Sequence, residues 1–196
     1  MKNKSAFTLI ELLVVIAIIG LLSTVVMVSV GSANNKSKDA KRITDLTEVK
    51  KAFDMQYADK GSLGFKYNCE NAGGGWDDSI IDTDADGIFF VDKLIDLGIM
   101  KKTPVDPVNK GNYKYMCYVY SAGAYKCDAS QGNFYIIGAV DMETSGRPYP
   151  QSPGWSCNVD TRSNPLSNVC ASGGVYNTDC RNWQKEMDWV TGGYVK

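Results

Sequence analysis

The feature that most constrains this chain is an apolar run of 24 residues, Phe7 to Val30, which contains one charge, Glu11, and no proline. As an α-helix rising about 1.5 Å per residue it would extend roughly 36 Å, more than the apolar thickness of a bilayer, about 30 Å. Lys2 and Lys4 precede the run, so this short basic flank is expected to stay in the cytoplasm. The run predicts a single membrane-spanning helix with an exported C-terminal region.

Glu11 is the residue of this run that requires an explanation. A charged side chain within a bilayer costs about 2.5 to 3.5 kcal/mol even on lenient insertion scales, so it indicates a function by default. Two simpler interpretations remain open. The run could be a cleaved secretory signal, although signal cores usually have only about 7 to 15 apolar residues. It could also be a plain anchor in which Glu11 is protonated or faces water at the membrane edge.

The composition excludes several classes of function. The 196 residues are 44% hydrophobic and 22% charged, which is enough for one domain with an appendage. The net charge of -1 provides no overall field that would attract nucleic acid, and no nucleic-acid partner is expected. The absence of histidine excludes His-dependent triads and HExxH zinc sites. Because GxSxG, P-loop and Rossmann motifs are also missing, we predict that the chain is not an enzyme.

A second helical pattern follows the apolar run. Apolar residues at steps of three and four form one stripe: Ala40, Ile43, Leu46, Val49, Phe53 and Tyr57. The charged residues between them predict a solvated face with intrahelical ion pairs: Lys36, Lys38, Asp39, Lys41, Arg42, Asp45, Glu48, Lys50, Lys51 and Asp54. We expect one long helix that ends at Gly61, with a break-prone stretch at 31–35.

The sequence Ala6-Phe7-Thr8-Leu9-Ile10-Glu11-Leu12, followed by a long apolar helix, resembles the N-terminal signature of type IV pilins and of the pseudopilins of type II secretion. In that family a prepilin peptidase cleaves before the Phe and methylates the new N-terminus. The resemblance therefore implies cleavage between Ala6, where the family usually has Gly, and Phe7. The new amine of Phe7 could then be neutralised by Glu11 of a neighbouring subunit, which would set the stagger between copies.

The resemblance also implies the architecture. It predicts an α+β fold like that of type IV pilins, in which a long N-terminal helix packs on a small head. The head would be an antiparallel β-sheet cross-linked by disulfides. The expected divisions are a leader (1–6), a transmembrane and assembly half of the helix (7–30), its amphipathic half (31–60) and an exported head with a loop-rich C-terminal region (61–196). Segment 39–61 resembles the second half of a pseudopilin helix.

Within the head, local patterns predict the secondary structure. Residues 89–100 are expected to form a short amphipathic helix with Leu94, Ile95 and Ile99 facing inward. The β-branched and aromatic content of 113–120, 124–127 and 133–140 predicts a three-stranded meander. The segment 181–190 is expected to contain at least one helical turn.

All six cysteines follow the apolar run, which fits an oxidising compartment. Cys117 and Cys127 are equally far from Ala122, the centre of the predicted hairpin turn, so they are expected to pair. Cys170 with Cys180 is the next local choice, which would leave Cys69 for Cys157; other pairings remain open.

An acidic stretch in the head resembles a calcium loop. Asp82, Asp84, Asp86 and Gly87 match the opening of an EF-hand, but Lys93 occupies the position where a bidentate Glu is expected, one place after Asp92. Some pseudopilins bind calcium in the head, so an irregular calcium site at the four Asp residues is one interpretation. A solvated acidic turn is the other. No further cofactor is predicted.

The function implied is that of a structural filament subunit, a prepilin-like pseudopilin assembled for type II-like protein secretion. Its expected partners are copies of itself, related pilins, prepilin peptidase, an inner-membrane assembly platform and membrane lipid. It would cross the cytoplasmic (inner) membrane once, with the N-terminus inside and the head outside, before it enters a periplasmic or extracellular filament. A major type IV pilin for adhesion, motility or DNA uptake remains open, as does a membrane-anchored extracellular binding protein.

Overall fold

A computed structural model describes residues 8–63, 69, 77–80, 90–155, 176–177, 180–181 and 183–195. The architecture is α+β, as predicted: one long helix and a small antiparallel sheet. The elements in chain order are α1 (Leu9–Lys60), β1 (Asp77–Asp78), α2 (Lys93–Asp96), β2 (Tyr115–Tyr120), β3 (Asn133–Ala139), β4 (Tyr176–Asn177), β5 (Cys180–Arg181) and β6 (Trp189–Val195).

Helix α1 has 52 residues and continues through the break-prone stretch 31–35, so the predicted single long helix is confirmed. A glycine costs only about 1 kcal/mol in a helix interior, and Gly31 lies within a long helical stretch that tolerates this cost. The helix ends at Gly61, as predicted, in a left-handed conformation with φ of 67°. The N–H of Gly61 donates to the carbonyl of Tyr57 at 2.8 Å and closes the last turn.

The main sheet has the strand order β1-β2-β3-β6, with every neighbouring pair antiparallel. One face packs on the C-terminal half of α1. There the ring of Phe53 meets that of Tyr135 edge-on, with centroids 4.9 Å apart, and both side chains are buried. Leu46, Val49 and Ile137 belong to the same core. This apolar contact fixes the sheet against the helix.

The opposite face of the sheet carries a second apolar cluster, rich in aromatic residues. Phe134 stacks on Trp155 with centroids 4.9 Å apart, and Trp183 lies edge-on to Trp155 at 5.5 Å. Tyr120 and Val190 complete its centre. The sheet is therefore covered on both faces. Helix α1 covers one face, and the segments after β3 that contain Trp155 and Trp183 cover the other.

One local prediction for the sheet is wrong, and a second segment is helical only in part. Residues 124–127 are not a strand, since Ala124–Lys126 form a 3-10 turn within the connection from β2 to β3. The third long strand is β6, whose first residues, Trp189 and Val190, lie in the segment predicted to be helical. The predicted helical turn is the 3-10 turn Trp183–Lys185, and the other described residues of that segment are not helical. Pairing with β3 along the full length of β6 provides the backbone hydrogen bonds that outweigh the local pattern.

Close approach of β3 and β6 depends on glycine. A Cβ built on Gly138 would lie 2.6 Å from the carbonyl oxygen of Trp189 and would also collide with the sulfur of Met187. A Cβ built on Gly192 would lie 2.5 Å from the carbonyl oxygen of Tyr135. Both positions have a steric reason to lack a side chain.

Helix α2 is shorter than predicted and covers four residues. Leu94 is fully buried, as expected, but Ile95 is 37% exposed and does not face inward as predicted. Because α2 makes about one turn, it can bury only one of its two adjacent apolar side chains.

The disulfide Cys69–Cys117 joins the segment after α1 to strand β2, with Cα atoms 5.9 Å apart. It contradicts the predicted pairs Cys117–Cys127 and Cys69–Cys157. Cys117 belongs to the core beside α1, whereas Cys127 lies in the cluster on the opposite face of the sheet, so the sheet separates them. Cys127 is itself disulfide-bonded. The predicted Cys170–Cys180 pair stays a prediction, because Cys170 lies outside the described residues.

Candidate assembly site

The start of α1 is closed by a capping box formed by Thr8 and Glu11. The backbone N–H of Thr8 donates to Oε2 of Glu11 at 2.8 Å, and the Thr8 hydroxyl donates to the same oxygen at 2.7 Å. In return, the N–H of Glu11 donates to the Thr8 hydroxyl at 3.3 Å. The Glu11 carboxylate is thus held against the positive end of the helix dipole. Sequence reasoning missed the role of Thr8, although the pattern Thr-x-x-Glu before an apolar run is a signal for it.

The predicted processing residues Ala6 and Phe7 lie outside the described residues. The structure therefore does not test the predicted pairing of the Phe7 amine with Glu11 of a neighbour. It does show that Glu11 uses only Oε2 in hydrogen bonds to described residues. Its second carboxylate oxygen can accept a hydrogen bond from a cation on an adjacent chain.

The first half of α1 is exposed along its whole length. From Leu9 to Val30 no side chain is buried, and the exposed fraction of the large apolar residues reaches 81% at Leu9. Within the described residues α1 is the helix long and apolar enough to cross a membrane. A helix that is apolar on all sides requires lipid or other helices around it.

Two of the three hydroxyl side chains between Leu9 and Val30 form hydrogen bonds that suit an apolar surrounding. Ser23 donates to the carbonyl of Ile19 at 2.7 Å, and Thr24 donates to the carbonyl of Leu21 at 2.8 Å. Because both hydroxyls bond within the helix, they can enter lipid or a helix bundle without an unsatisfied donor. Glu11 is then the one charged group between Thr8 and Val30.

Arg42 connects this assembly helix to the head. Its guanidinium is completely buried and forms a two-pronged pair with Asp106: Nε lies 2.7 Å from Oδ2 and Nη2 lies 3.1 Å from Oδ1. Nη1 donates to Asp39 at 2.8 Å, and the ring of Tyr113 lies 5.0 Å from the guanidinium carbon. Burial opposes the charge, but the hydrogen bonds and charges of Asp106 and Asp39 outweigh it and raise the pKa of Arg42.

Asp39 extends this cluster to a second loop of the head. Its carboxylate accepts the N–H of Glu143 at 2.8 Å, the N–H of Thr144 at 2.9 Å and the Thr144 hydroxyl at 2.6 Å. We predicted that Asp39 and Arg42 lie on a solvated face, and this is wrong. Two loops of the head enclose this turn of α1, and the buried charges are compensated by one another.

The predicted intrahelical pairs Lys41–Asp45 and Lys50–Asp54 are confirmed. Both carboxylates also contact the sheet. Asp45 accepts the hydroxyl of Tyr115 at 2.8 Å, and Asp54 accepts that of Tyr135 at 3.2 Å. Burial, together with the bonded carboxylate, raises the pKa of both tyrosines, which therefore act as neutral donors. The head is held on α1 by polar contacts along about four turns.

The calcium interpretation stays a prediction. Asp82, Asp84 and Asp86 lie outside the described residues, and Asp92 precedes α2. Within the part of the chain that the structure describes, no group of three or more cysteine or acidic side chains is arranged to hold a metal ion.

Comparison with known proteins gives one match. The family described as the prokaryotic N-terminal methylation motif matches residues 1–27, which include the predicted cleavage site, the capping box and most of the exposed apolar segment. No curated protein and no solved structure matches the chain. The matched signature is typical of structural subunits and not of enzymes. Residues 1–27 thus carry the N-terminal methylation motif, which is the signature of type IV pilins and pseudopilins.

Proposed function

We propose that this chain is a structural filament subunit that is cleaved before Phe7, N-methylated and assembled through α1 into a pseudopilus for type II-like secretion. One observation carries the proposal. The segment Leu9–Val30 is apolar and exposed, and its single charge lies in the first turn, directly after the predicted cleavage site. The divisions that follow are a leader (1–6), an assembly half (7–30), an amphipathic half (31–60) and a head (61–196).

Assembly would bury the exposed apolar segment against the same segment of neighbouring copies. In lipid there is little hydrophobic force between helices, so packing and polar pairs decide the register. Cleavage would create a cationic amine on Phe7, and Glu11 of an adjacent copy would neutralise it. Removal of one member of a buried charge pair typically costs about 3 to 5 kcal/mol, because the other charge is left unpaired.

The capping box supports a defined state before assembly. The hydrogen bonds from Thr8 stabilise the Glu11 carboxylate within its own chain, so the subunit can remain in the membrane before it assembles. The disulfide of the head is typical of an oxidising compartment, and this supports a topology with the head outside the cytoplasmic membrane and the N-terminus inside. The proposed partners are prepilin peptidase, an inner-membrane assembly platform, and copies of this chain and related pilins.

Two substitutions of Glu11 test the proposal. Glu11→Gln retains an acceptor for the capping box but removes the charge, whereas Glu11→Ala removes both. If the charge pairs with a neighbouring amine, both variants insert into the membrane and neither yields filaments. Asp59→Ala removes an exposed carboxylate at the other end of α1 and should leave the filament yield unchanged. Normal filament yield from Glu11→Gln would contradict the charge-pair role.

Mass spectrometry of the membrane-extracted protein tests processing. The expected chain begins at Phe7 and carries one added methyl group. A monomeric chain that begins at Met1 would contradict the proposal and would instead indicate an anchored binding protein. Electron microscopy distinguishes the two assemblies: a short structure confined to the envelope indicates a pseudopilus, and long surface fibres indicate a type IV pilus for adhesion, motility or DNA uptake.

A further inference from the structure

A groove open to solvent runs along α1 beside the segment that follows α2. Its volume is about 720 Å³, within the range of about 300 to 1,000 Å³ that is usual for binding sites. One wall is a stripe of α1 with residues three and four positions apart, which includes Asp45, Ala52 and Met55. The other wall is the segment 99–105. We call this feature the α1 groove.

The lining of the α1 groove combines exposed apolar side chains with a buried hydroxyl group. Met55 is 65% exposed and Val105 is 49% exposed, beside the buried Ala52. The hydroxyl oxygen of Thr103 is buried and has no hydrogen-bond partner among the residues that the structure describes. A buried polar group without a partner is unfavourable, because it has lost its hydrogen bonds to water and gained none in return. The groove therefore offers an apolar surface and a polar group that a bound segment could cover.

The α1 groove is also positively charged, unlike the chain as a whole. Four lysines line it against two carboxylates. Lys41 is held by Asp45 and by a backbone carbonyl. The other three, Lys51, Lys101 and Lys102, are exposed and form no ion pair with any residue that the structure describes. They are available to an acidic partner.

We propose that the α1 groove binds the acidic segment 80–86 of a second copy of this chain. The segment reads Ile-Ile-Asp-Thr-Asp-Ala-Asp and has no basic residue. Its two isoleucines suit the apolar surface, and its three carboxylates match the three lysines that form no ion pair within the described part of the chain. Asp78, just before it, is already bound to Lys114 of its own subunit at 2.6 Å. The carboxylates assigned to the partner's groove are therefore Asp82, Asp84 and Asp86.

The choice of a second copy rests on the proposed function, because a filament brings many copies of α1 side by side. The groove, formed by α1 and the segment 99–105, and the segment 80–86 are different parts of the chain, so a contact between them is heterologous. Heterologous contacts do not close into a two-fold dimer and can repeat indefinitely along a helical assembly. Such a contact between heads would add to the packing of the apolar helices.

Carbodiimide cross-linking tests the contact directly, since it joins a carboxylate to an amine only where the two touch. Filaments would be assembled from an equal mixture of isotope-labelled and unlabelled full-length chains, in the presence of a calcium chelator. We expect cross-linked peptides that join Lys101 or Lys102 to the segment 80–86, half of them carrying one label. If these peptides only ever join chains of the same label, the segment reaches its own groove and the proposal is overturned.

Charge reversal provides the second test. Lys101→Glu with Lys102→Glu should lower the filament yield about tenfold through like-charge repulsion. Adding Asp82→Lys and Asp84→Lys to the same chain should restore the yield to within about threefold, because the charges are complementary again. The matched control, Lys110→Glu with Lys185→Glu, changes two exposed lysines outside the groove and should leave the yield unchanged.

The outcomes separate this inference from the proposed function. Wild-type yield from the Lys101 and Lys102 reversal, at a normal level of membrane-inserted protein, would overturn the groove contact and leave the filament intact. Loss of yield without restoration by the reversed aspartates would also overturn it. If the wild-type chain forms no filaments at all, the proposed function itself fails.

Discussion

Substitution of Arg42 by Met is the sharpest test of how the head is attached to α1. The side chain of Arg42 is completely buried, and its two main partners, Asp106 and Asp39, are no more than 1% exposed. Met has a similar length but no charge, so both carboxylates would remain buried without their cation. Breaking a buried ion pair in this way typically costs about 3 to 5 kcal/mol.

That loss is large compared with the total stability of a domain, about 5 to 15 kcal/mol. If the free energy of unfolding falls by about 2 kcal/mol per M of urea, a loss of about 3 to 5 kcal/mol lowers the urea midpoint of unfolding by about 1.5 to 2.5 M. The control is Lys50→Met. Lys50 pairs with Asp54 on the surface of the same helix, and such exposed pairs contribute only about 0.3 to 0.5 kcal/mol.

Urea unfolding of the detergent-solubilised full chain, followed by tryptophan fluorescence, measures both variants. A third variant, Arg42→Met with Asp106→Asn, removes one of the unpaired charges. It keeps the Oδ1 atom that accepts the N–H groups of Val108 and Asn109, so it should recover about 1 to 3 kcal/mol relative to Arg42→Met. A loss below about 1 kcal/mol for Arg42→Met, or no recovery in the double variant, would refute the argument that buried charges hold the head.

Peptide mapping without reductant should identify a peptide that links Cys69 to Cys117, and a Cys117 peptide linked to any other cysteine would contradict the structure. Gly138→Ala should destabilise the protein by about 1 to 3 kcal/mol in thermal or urea unfolding, because a Cβ there meets the backbone of β6, whereas Gly146→Ala, with open space around it, should be neutral. Burial raises the pKa of Asp188 despite its bonds to a backbone N–H and an arginine, so the folded state binds this proton more tightly than the unfolded chain. The stability that this tighter proton binding contributes is therefore present below the ordinary carboxyl pKa and is lost as the pH rises through the raised pKa of Asp188. Asp188→Asn should flatten this part of the curve of unfolding free energy against pH. An unchanged curve would refute the pKa shift.

Local patterns predicted α1 well. The apolar length, the stripe that includes Leu46 and Phe53, and the end at Gly61 are all confirmed. Helix period and span length depend on neighbours within a few positions, so a single sequence contains the information. The same reasoning identified Glu11 as exceptional, because the cost of a charge among apolar residues does not depend on the fold.

Contacts between distant residues could not be predicted in this way. Arg42 and Asp106 are 64 positions apart, and their sequence neighbourhood is typical of an exposed helix face. The strand β6 has a local pattern that also fits a helical turn, and it is extended because β3 is available to pair with it. The prediction of a Cys117–Cys127 disulfide failed for a related reason. The two cysteines belong to clusters on opposite faces of the sheet, and their spacing in the sequence does not show which face each one occupies.

The sequence by itself therefore determined the assembly helix, its one charge and the signature at its start, because these follow from local periodicity and from the thickness of a bilayer. Only the tertiary structure decided which charges are buried, which cysteine Cys117 meets and where the α1 groove lies. Each of these depends on loops and strands that the chain brings together from far apart, and whether a charge is paired or solvated is set by that surrounding structure.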